Sequence, residues 1–483
     1  MGQEIDSSRF NHKDFQRFDA KLRDETRLLG EWFAQDRFCS GGKVGGFELE
    51  VWLVDDSGHP KPVNDQYLQL TEARHLPVVP ELSRFNVELN SAPRQLQGDV
   101  LSRMRAELDD TWRQCSQLAR QIDAGLLMIG ILPTVRDDQL TLANMSDVKR
   151  FRALNEQVLR LRGGHPLNID IDGFEALHLS HGDVMFESAA TSFQLHLQVE
   201  LDRAARYYNA AHILAAPMVA ASANSPFLFG RNLWDETRIP LFEQAVALED
   251  VYGGEQCGVA GRIGRVTFGA AYVQDSVYES FLRNLECYPV LLPALSDEPF
   301  ETLPHLRLHN GTIWRWNRPL IGFDAAGEPH LRLEHRVVPS GPTVVDAIAN
   351  AALFFGAVDS LANSEIPPEA RLDFEQARGN FYAAAKHGLR AELVWLDGKR
   401  VSVLDLLQQE VLPLARRGLQ ALALAPADID LYLGIMESRL DKQCNGAVWQ
   451  RRYVEQHGAD MTRLTQAYRE RQQQGEPVHD WSL

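Results

Sequence analysis

Polar and apolar residues alternate in four separated segments of the chain, at 46–52, 85–90, 192–199 and 331–338. Because residues i and i+2 of a β-strand share one face, each segment predicts a strand with one polar and one apolar side. The polar sets are Glu48 and Glu50; Asn86, Glu88 and Asn90; Gln194, His196 and Gln198; and Arg332, Glu334 and Arg336. Together they predict a sheet with one face packed by Leu, Val and Phe and the other lined by charged and amide groups.

The rest of the chain predicts a mixed sheet covered by helices, followed by helices alone. Helical patterns lie at 14–37, 98–124, 146–161, 202–222, 236–249 and 343–362, and further strands are predicted at 126–132, 264–268 and 306–317. A turn at 55–60 predicts a hairpin. From about residue 366 the predicted elements are helices at 370–387, 402–424, 427–441 and 447–473. The polar stretch 469–476 is predicted to be a frayed, solvated tail.

These elements predict three parts of the chain. They are an N-terminal helical segment, 1–40, a catalytic domain, 41–365, and a helical C-terminal region, 366–483, packed on the catalytic domain.

Composition and charge narrow the class of protein. The chain has 483 residues, of which 45% are hydrophobic and 24% charged, as is ordinary for a globular protein. A net charge of −17 disfavours a nucleic-acid or membrane partner, although local arginines can still bind an anionic substrate. The apolar stretch around 210–223 is too short to cross a bilayer, and the polar N-terminus predicts no signal peptide.

The cysteines indicate a cytoplasmic protein. Five are present, widely spaced and without a C-x-x-C pair: Cys39, Cys115, Cys257, Cys287 and Cys444. This spacing predicts reduced thiols in a cytoplasmic protein, not a disulfide framework or a zinc site.

A sheet face that carries carboxylates and an imidazole requires compensation of its charge. Glu48 and Glu50 could bridge two Mg²⁺ ions, which prefer oxygen ligands, and His196 could complete such a shell. Each feature also has a purely structural interpretation. Glu48, Glu50 and Glu88 could belong to half-exposed strands, and His196 could be an ordinary structural histidine.

Arg332, Glu334 and Arg336 place cations on both sides of a carboxylate. Glu334 could hold metal while the arginines hold phosphate oxygens, or the three could form a ladder of ion pairs. The chain has no P-loop, no G-x-G-x-x-G turn after a strand and no G-x-S-x-G elbow. A bound nucleotide would therefore need a different kind of site.

The segment after the helix at 202–222 predicts a loop of fixed shape. It contains Asn224-Ser225-Pro226 and then Phe-Leu-Phe-Gly, with Arg231 and Arg238 just beyond. An arginine can bind a substrate carboxylate through two hydrogen bonds, but both could equally be surface residues.

In their order and spacing, Gly-Phe-Glu48-Leu-Glu50, Glu88, Gln194-Leu-His196, Ala-Asn224-Ser-Pro-Phe and Leu-Glu334-His-Arg336 resemble the glutamate–cysteine ligase type 2 family, the carboxylate–amine ligases. The resemblance runs from about residue 40 to about residue 360. Its most specific parts are the Gly-x-Glu-x-Glu strand and the Asn-Ser-Pro-Phe loop.

The resemblance implies an α+β fold of the glutamine synthetase/guanido-kinase type, in which a curved, largely antiparallel sheet forms a funnel with helices outside. ATP would enter one end and an amino-acid carboxylate the other, with two or three Mg²⁺ between them, which Mn²⁺ could replace. The implied metal ligands are Glu48, Glu50, Glu88, His196 and Glu334. Glu334 and Arg336 would act in catalysis, and Arg332, Arg336 and Thr312 would bind the nucleotide. Substrate would contact Arg231, Arg238, Asn224 and Gln194.

The chain also departs from the family pattern at two points. Many relatives carry His-x-His, and others Gln-x-Asn, where this chain has Gln194-Leu195-His196. Relatives commonly have an acidic residue after the final Glu-x-Arg, where this chain has Val337. These departures leave the identity of the amine open.

The sequence therefore predicts an enzyme that phosphorylates a carboxylate, most simply the γ-carboxylate of glutamate, and joins it to an amine, by default cysteine. The alternative is a non-catalytic protein on the same scaffold that binds a nucleotide or metabolite for regulation. The expected partners are small amino-acid substrates. The C-terminal helices could cover the sheet or form a contact in a homo-oligomer.

Overall fold

The structure is a computed structural model that describes residue 5 and residues 9–39, 41–249 and 262–483. Within these ranges the helices are α1 His12–Ala34, α2 Asn64–Glu72, α3 Val100–Arg120, α4 Lys149–Leu161, α5 Ala204–Ser222, α6 Arg238–Ala245, α7 Tyr278–Cys287, α8 Pro304–Asn310, α9 Val344–Ala362, α10 Phe374–His387, α11 Val403–Leu406, α12 Leu412–Ala421, α13 Pro426–Asp441, α14 Gly446–His457 and α15 Met461–Gln474. A π-helical turn, Leu407–Val411, joins α11 to α12.

The strands belong to one large sheet and several short pairs. They are β1 Val44–Val54, β2 Val78–Pro80, β3 Asn86–Asn90, β4 Arg94–Gln95, β5 Gly125–Leu127, β6 Leu167–Asp172, β7 Ala176–His181, β8 Phe193–Val199, β9 Phe227–Leu228, β10 Arg231–Asn232, β11 Leu248–Glu249, β12 Arg262–Ile263, β13 Val266–Thr267, β14 Trp314–Arg315, β15 Asn317–Phe323, β16 Pro329–His335, β17 Glu392–Val394 and β18 Arg400–Ser402.

The large sheet is curved and antiparallel, with the order β15-β16-β8-β1-β3-β2, and β4 and β5 also pair with β1. Its register places Glu50 opposite Glu88, and Glu334 opposite His196. The four alternating segments therefore lie in one sheet, and the predicted α+β class with outer helices is confirmed.

The apolar face of the sheet packs on α5 and α9. Leu49, Leu195 and Leu333 are almost completely buried there. Gly45 lets β1 approach this layer, because a Cβ at that position would lie 2.7 Å from Leu96 and 3.1 Å from Phe355 of α9. In the described part of the chain, α9 is also the helix long and apolar enough to span a membrane, but 94% of its apolar window is buried inside the fold.

Two expectations about local structure are wrong. The predicted strand 306–317 is instead helix α8 followed by short strands, because Pro304 starts a helix in which Leu306 and Leu308 alternate as they would in a strand. The predicted tail 469–476 is largely helical. The predicted turn at 55–60 is present, and it closes with a short antiparallel bridge between Val54 and Pro60 before α2.

The C-terminal helices share the core of the molecule. Phe374 and Phe381 of α10 contact Phe268, with ring centroids 5.4 and 5.0 Å apart. Gln472 of α15 is buried and donates to the Met128 carbonyl at 2.7 Å. The hydrophobic core is thus continuous across the predicted boundary at residue 365, and the division into three parts stays a prediction.

The cysteines differ in their chemical state. Cys39, Cys115 and Cys444 are free thiols, as predicted. Cys287 is disulfide-bonded, so the expectation of a reduced thiol is wrong at this residue. Cys257 lies outside the described residues.

Candidate active site

A cavity of about 200 Å³ lies on the polar face of the large sheet. Its floor is formed by β16, β8, β1 and β3, and its walls by α4, α7 and α8. One end is rich in carboxylates, and the other is apolar, with Phe281, Leu292, Leu306, Leu308 and Leu320. The cavity therefore joins a region that attracts cations to a region that can take an apolar or aromatic group.

The first acidic group consists of Glu48, His196 and Glu334, whose ligand atoms all lie within 4.8 Å of one another. His196 Nε2 lies 3.3 Å from Glu48 Oε1 and 4.0 Å from Glu334 Oε1. Neither ring nitrogen of His196 has a well-formed hydrogen bond in the described residues. A buried imidazole in this state is suited to donate an electron pair to a cation.

Charge around this first group is partly balanced by arginine. Arg318 donates two hydrogen bonds to Glu334, at 2.8 and 3.0 Å, and Arg336 donates a third at 3.0 Å. Burial alone would raise the pKa of Glu334, but Arg318 and Arg336 outweigh it and hold the pKa well below its usual range. Burial would likewise raise the pKa of Glu48, but the adjacent His196 lowers it. Both carboxylates are therefore ionised at neutral pH.

The second acidic group consists of Glu50, Glu81 and Glu88, also with ligand atoms within 4.8 Å of one another. Burial and the neighbouring Glu81 raise the pKa of Glu50 to about 7. Burial, Glu48 and Glu81 raise the pKa of Glu88 well above its usual value. Glu50 is held in place by hydrogen bonds from the Ser192 N–H at 2.6 Å and the Gln194 amide at 2.8 Å.

The two groups fit divalent cations. The second brings together one buried carboxylate, Glu88, and two half-buried ones, Glu50 and Glu81. Burial and their mutual repulsion raise their pKa values, so a bound cation would replace protons and relieve the repulsion. The donors are five carboxylates and one imidazole, a set that hard cations such as Mg²⁺ and Mn²⁺ accept.

Arginines and a hydroxyl group also line the cavity. Arg336 also donates to Gln194. Arg332 makes no ion pair among the described residues, and its Nε is buried without a hydrogen-bond partner. Thr312 lines the cavity and donates to the His309 carbonyl at 2.8 Å. These groups can bind an anion close to the acidic floor.

Three of the predicted substrate-binding residues do not line the cavity. Arg231 is exposed and pairs with Glu175 at 3.1 Å. Arg238 is buried and pairs with Glu236 at 3.0 Å while also holding backbone carbonyls. Asn224 is buried, where its amide donates to the Ser340 carbonyl at 2.8 Å and to the Tyr468 hydroxyl at 2.9 Å. Their motif shapes a loop and a helix end, so the carboxylate anchor assigned to Arg231 or Arg238 is corrected.

Five charged residues of the cavity were not predicted from the sequence: Glu81, Arg150, Glu187, Arg307 and Arg318. Glu81 follows the three-residue strand β2, and Glu187 lies in a 3₁₀ helix, so neither shows a strand alternation. Arg318 directly follows the segment 306–317, which was predicted to be a strand but begins as helix α8. Its signal is the alternation 317–323 beside 329–335, because a short turn between the two would place Arg318 opposite Glu334.

The comparison with protein families decides the assignment. The sequence model described as glutamate–cysteine ligase family 2 matches residues 44–477. The chain belongs to glutamate–cysteine ligase family 2. The match extends beyond residue 360, where the resemblance seen in the motifs ends, and includes most of the C-terminal helices. A comparison with curated proteins gives no match.

Two solved structures resemble the fold. Glutamate–cysteine ligase from Francisella tularensis, in complex with AMP, aligns with a TM-score of 0.51 at 13% identity over 90% of each chain. A bifunctional glutathione synthetase from Pasteurella multocida aligns with a TM-score of 0.52 at 11% identity, over 92% of this chain and 54% of that one. The chain thus spans about half of the bifunctional enzyme. At these identities the likeness shows the fold alone.

Membership of this family makes the protein a ligase that joins a carboxylate to an amine. It is therefore assigned as an enzyme, and the alternative of a non-catalytic regulatory protein loses its support. The family also agrees with the chemistry of the cavity, which combines acidic groups with arginines on one sheet face.

Proposed function

We propose that the protein is an ATP- and Mg²⁺-dependent ligase that joins the γ-carboxylate of glutamate to an amine through an acyl phosphate. The observation that carries this proposal is the pair of acidic groups, Glu48/His196/Glu334 and Glu50/Glu81/Glu88, whose five carboxylates line one cavity. Phosphoryl transfer needs positive charge beside the transferred group, and these donors can recruit it.

In this proposal, each acidic group holds at least one divalent cation. Bound Mg²⁺ would neutralise the charge that develops on the phosphoryl oxygens. Arg318 keeps Glu334 ionised and oriented through its two hydrogen bonds, and Gln194 orients Glu50 through one. Arg336 reaches both neighbourhoods, because it donates to Glu334 and to Gln194.

The nucleotide is proposed to enter from the apolar end. Phe281, Leu292 and Leu306 offer a surface for an aromatic base, while Arg332 and Thr312, which line the same cavity, could hold the phosphates. The related ligase from Francisella tularensis was solved with AMP, which supports a nucleotide in this fold.

The amino-acid substrate is proposed to occupy the opposite end. There Arg150 and Glu187 line the cavity near Glu81. Arg150 is suited to bind an α-carboxylate, and Glu187 an ammonium group. They take the role that the sequence reasoning gave to Arg231 and Arg238.

The reaction is proposed to proceed in two steps. A γ-carboxylate oxygen attacks the γ-phosphorus of ATP, and ADP leaves with the electron pair of the broken P–O bond. The amine nitrogen then attacks the acyl carbon, the bond from that carbon to the phosphate oxygen breaks, and the amine loses a proton. No covalent attachment to the protein is required, so positioning and charge supply the rate enhancement.

The identity of the amine is tested by a screen for phosphate release with ATP, Mg²⁺ and glutamate fixed and amines varied, cysteine included. Release that depends on one amine supports the proposal and names the second substrate. Tight binding of ATP without release for any amino-acid pair would instead favour a regulatory protein that has kept the scaffold. A cytoplasmic location and a homo-oligomer remain expectations.

A further inference from the structure

The first helix, α1, packs behind the apolar end of the cavity, although it lies outside the residues matched by the family. Its buried side chains include Phe18, Leu22 and Leu29. The Tyr278 hydroxyl of α7 donates to the Thr26 carbonyl at 3.0 Å. The helix therefore supports α7 and α8 from the side opposite the cavity.

One charged residue of α1, Glu25, is buried in this contact, with 1% of its surface exposed. One of its carboxylate oxygens accepts a hydrogen bond from the Leu306 N–H, at 2.7 Å, in the first turn of α8. The other lies 2.5 Å from His305 Nδ1. The carboxylate thus satisfies a backbone donor that α8 cannot satisfy itself.

The partners of His305 fix its role. Its Nε2 accepts a hydrogen bond from the Ser296 N–H at 3.2 Å, so this nitrogen carries no proton. The proton then resides on Nδ1 and is donated to Glu25. Through His305, Glu25 holds the segment 288–299 as well as α8.

Both of these segments contribute to the cavity wall. Leu306 and Leu308 belong to α8, and Leu292 belongs to the segment that contains Ser296. We infer that Glu25 is a positioning residue, which holds the wall of the apolar end in the shape that binds the nucleotide. This inference rests on the proposed function, since it takes that end to be the nucleotide site.

Glutamine cannot replace Glu25, because two donors face this side chain. The amide would offer one acceptor oxygen and would turn its NH₂ group towards the second donor. We expect Glu25→Gln to raise the KM and Kd of ATP by about tenfold, as the loss of one buried hydrogen bond to a charged group implies. The kcat and the KM of glutamate should stay within about twofold. Glu25→Asp keeps both acceptors and should show a smaller shift.

Two controls separate positioning from general stability. Glu31→Gln makes the same chemical change on an exposed position of α1. Met436→Ala removes a fully buried side chain from α13, away from the cavity, and should lower thermal stability without changing ATP affinity. The measurements are steady-state kinetics and titration of ATP into each variant with Mg²⁺.

An ATP affinity unchanged in Glu25→Gln, or an equal loss in Met436→Ala, would overturn the inference. If Glu25→Gln does not fold, Glu25→Asp decides, because a wild-type KM for ATP in that variant together with a lowered kcat would contradict a role in nucleotide positioning. Wild-type protein that binds no ATP would refute the proposed function itself, and this role with it.

Discussion

Glu50→Gln should make the metal-free protein more stable and at the same time inactive. Burial and Glu81 raise the pKa of Glu50 to about 7 from its usual value of 4.5. The folded state therefore holds a proton that the unfolded state releases between these two values. The contribution of Glu50 to the free energy of unfolding is therefore most favourable below pH 4.5. It falls as the pH rises from 4.5 to 7, since the folded protein must then carry the buried charge.

The size of the effect follows from the pKa. Each unit corresponds to about 1.4 kcal/mol, so the ionised Glu50 destabilises the metal-free fold by about 3 kcal/mol above pH 7. Glutamine removes that charge but cannot accept both the Ser192 and Gln194 hydrogen bonds, which costs about 1 kcal/mol. The expected gain is about 2 kcal/mol at pH 8 and close to zero at pH 5.

Urea denaturation in the presence of a chelator, at pH 5 and at pH 8, measures this gain. Glu243→Gln is a matched control, because burial also raises the pKa of Glu243 to about 7 but the residue does not line the cavity. Both Trp316 and Tyr382 donate to the same Glu243 oxygen, so glutamine keeps both bonds. The control should gain stability at pH 8 and keep its response to Mg²⁺.

Glu50→Gln should lose both turnover and most of the stabilisation that Mg²⁺ gives to wild-type protein. A Glu50→Gln protein that is less stable than wild type at pH 8 without metal would contradict the view that this carboxylate is held at an energetic cost. Unchanged turnover would contradict its place in the metal site.

Four further predictions concern the charged residues of the cavity. Glu334→Gln should reduce ATP turnover by at least about 100-fold with an unchanged circular dichroism spectrum, because it removes a charge from the first acidic group; wild-type-like ADP release would contradict this. Arg318→Met should destabilise the fold by about 3 kcal/mol in urea, since it leaves Glu334 buried with one ion pair fewer; a loss below about 1 kcal/mol would show that Arg336 is sufficient. Arg231→Ala should leave the KM of every substrate within about twofold, because this side chain is exposed. Arg150→Ala should raise the KM of the carboxylate substrate by at least about tenfold, and an unchanged KM would place the anchor elsewhere.

The alternation of residues along the chain was sufficient to predict the sheet and most of its polar face. Glu48, Glu50, Glu88, His196 and Glu334 stand on strands of a single sheet because a period of two carries every second residue to the same side. The same rule does not predict Glu81 and Glu187. They line the cavity from the end of a short strand and from a 3₁₀ helix. Their positions depend on how distant segments pack.

The loop motif shows a different limit. Asn224 and Arg238 occur in a segment of distinctive composition, which suggested that it binds substrate. Both side chains instead donate hydrogen bonds to backbone carbonyls of the fold. A pattern of residue types cannot distinguish an arginine that is available to bind a ligand from one that is hydrogen-bonded to a backbone carbonyl. That distinction depends on tertiary partners such as Glu236 and the end of β16.

One face of the curved sheet is proposed to gather divalent cations for phosphoryl transfer. Anomalous diffraction from crystals grown with Mn²⁺ and ADP is the sharpest test of this proposal, because it locates each bound ion independently of activity. We expect anomalous peaks at Glu48, His196 and Glu334 and at Glu50, Glu81 and Glu88. Density for the nucleotide without a peak at either group, or peaks only at the protein surface, would contradict it.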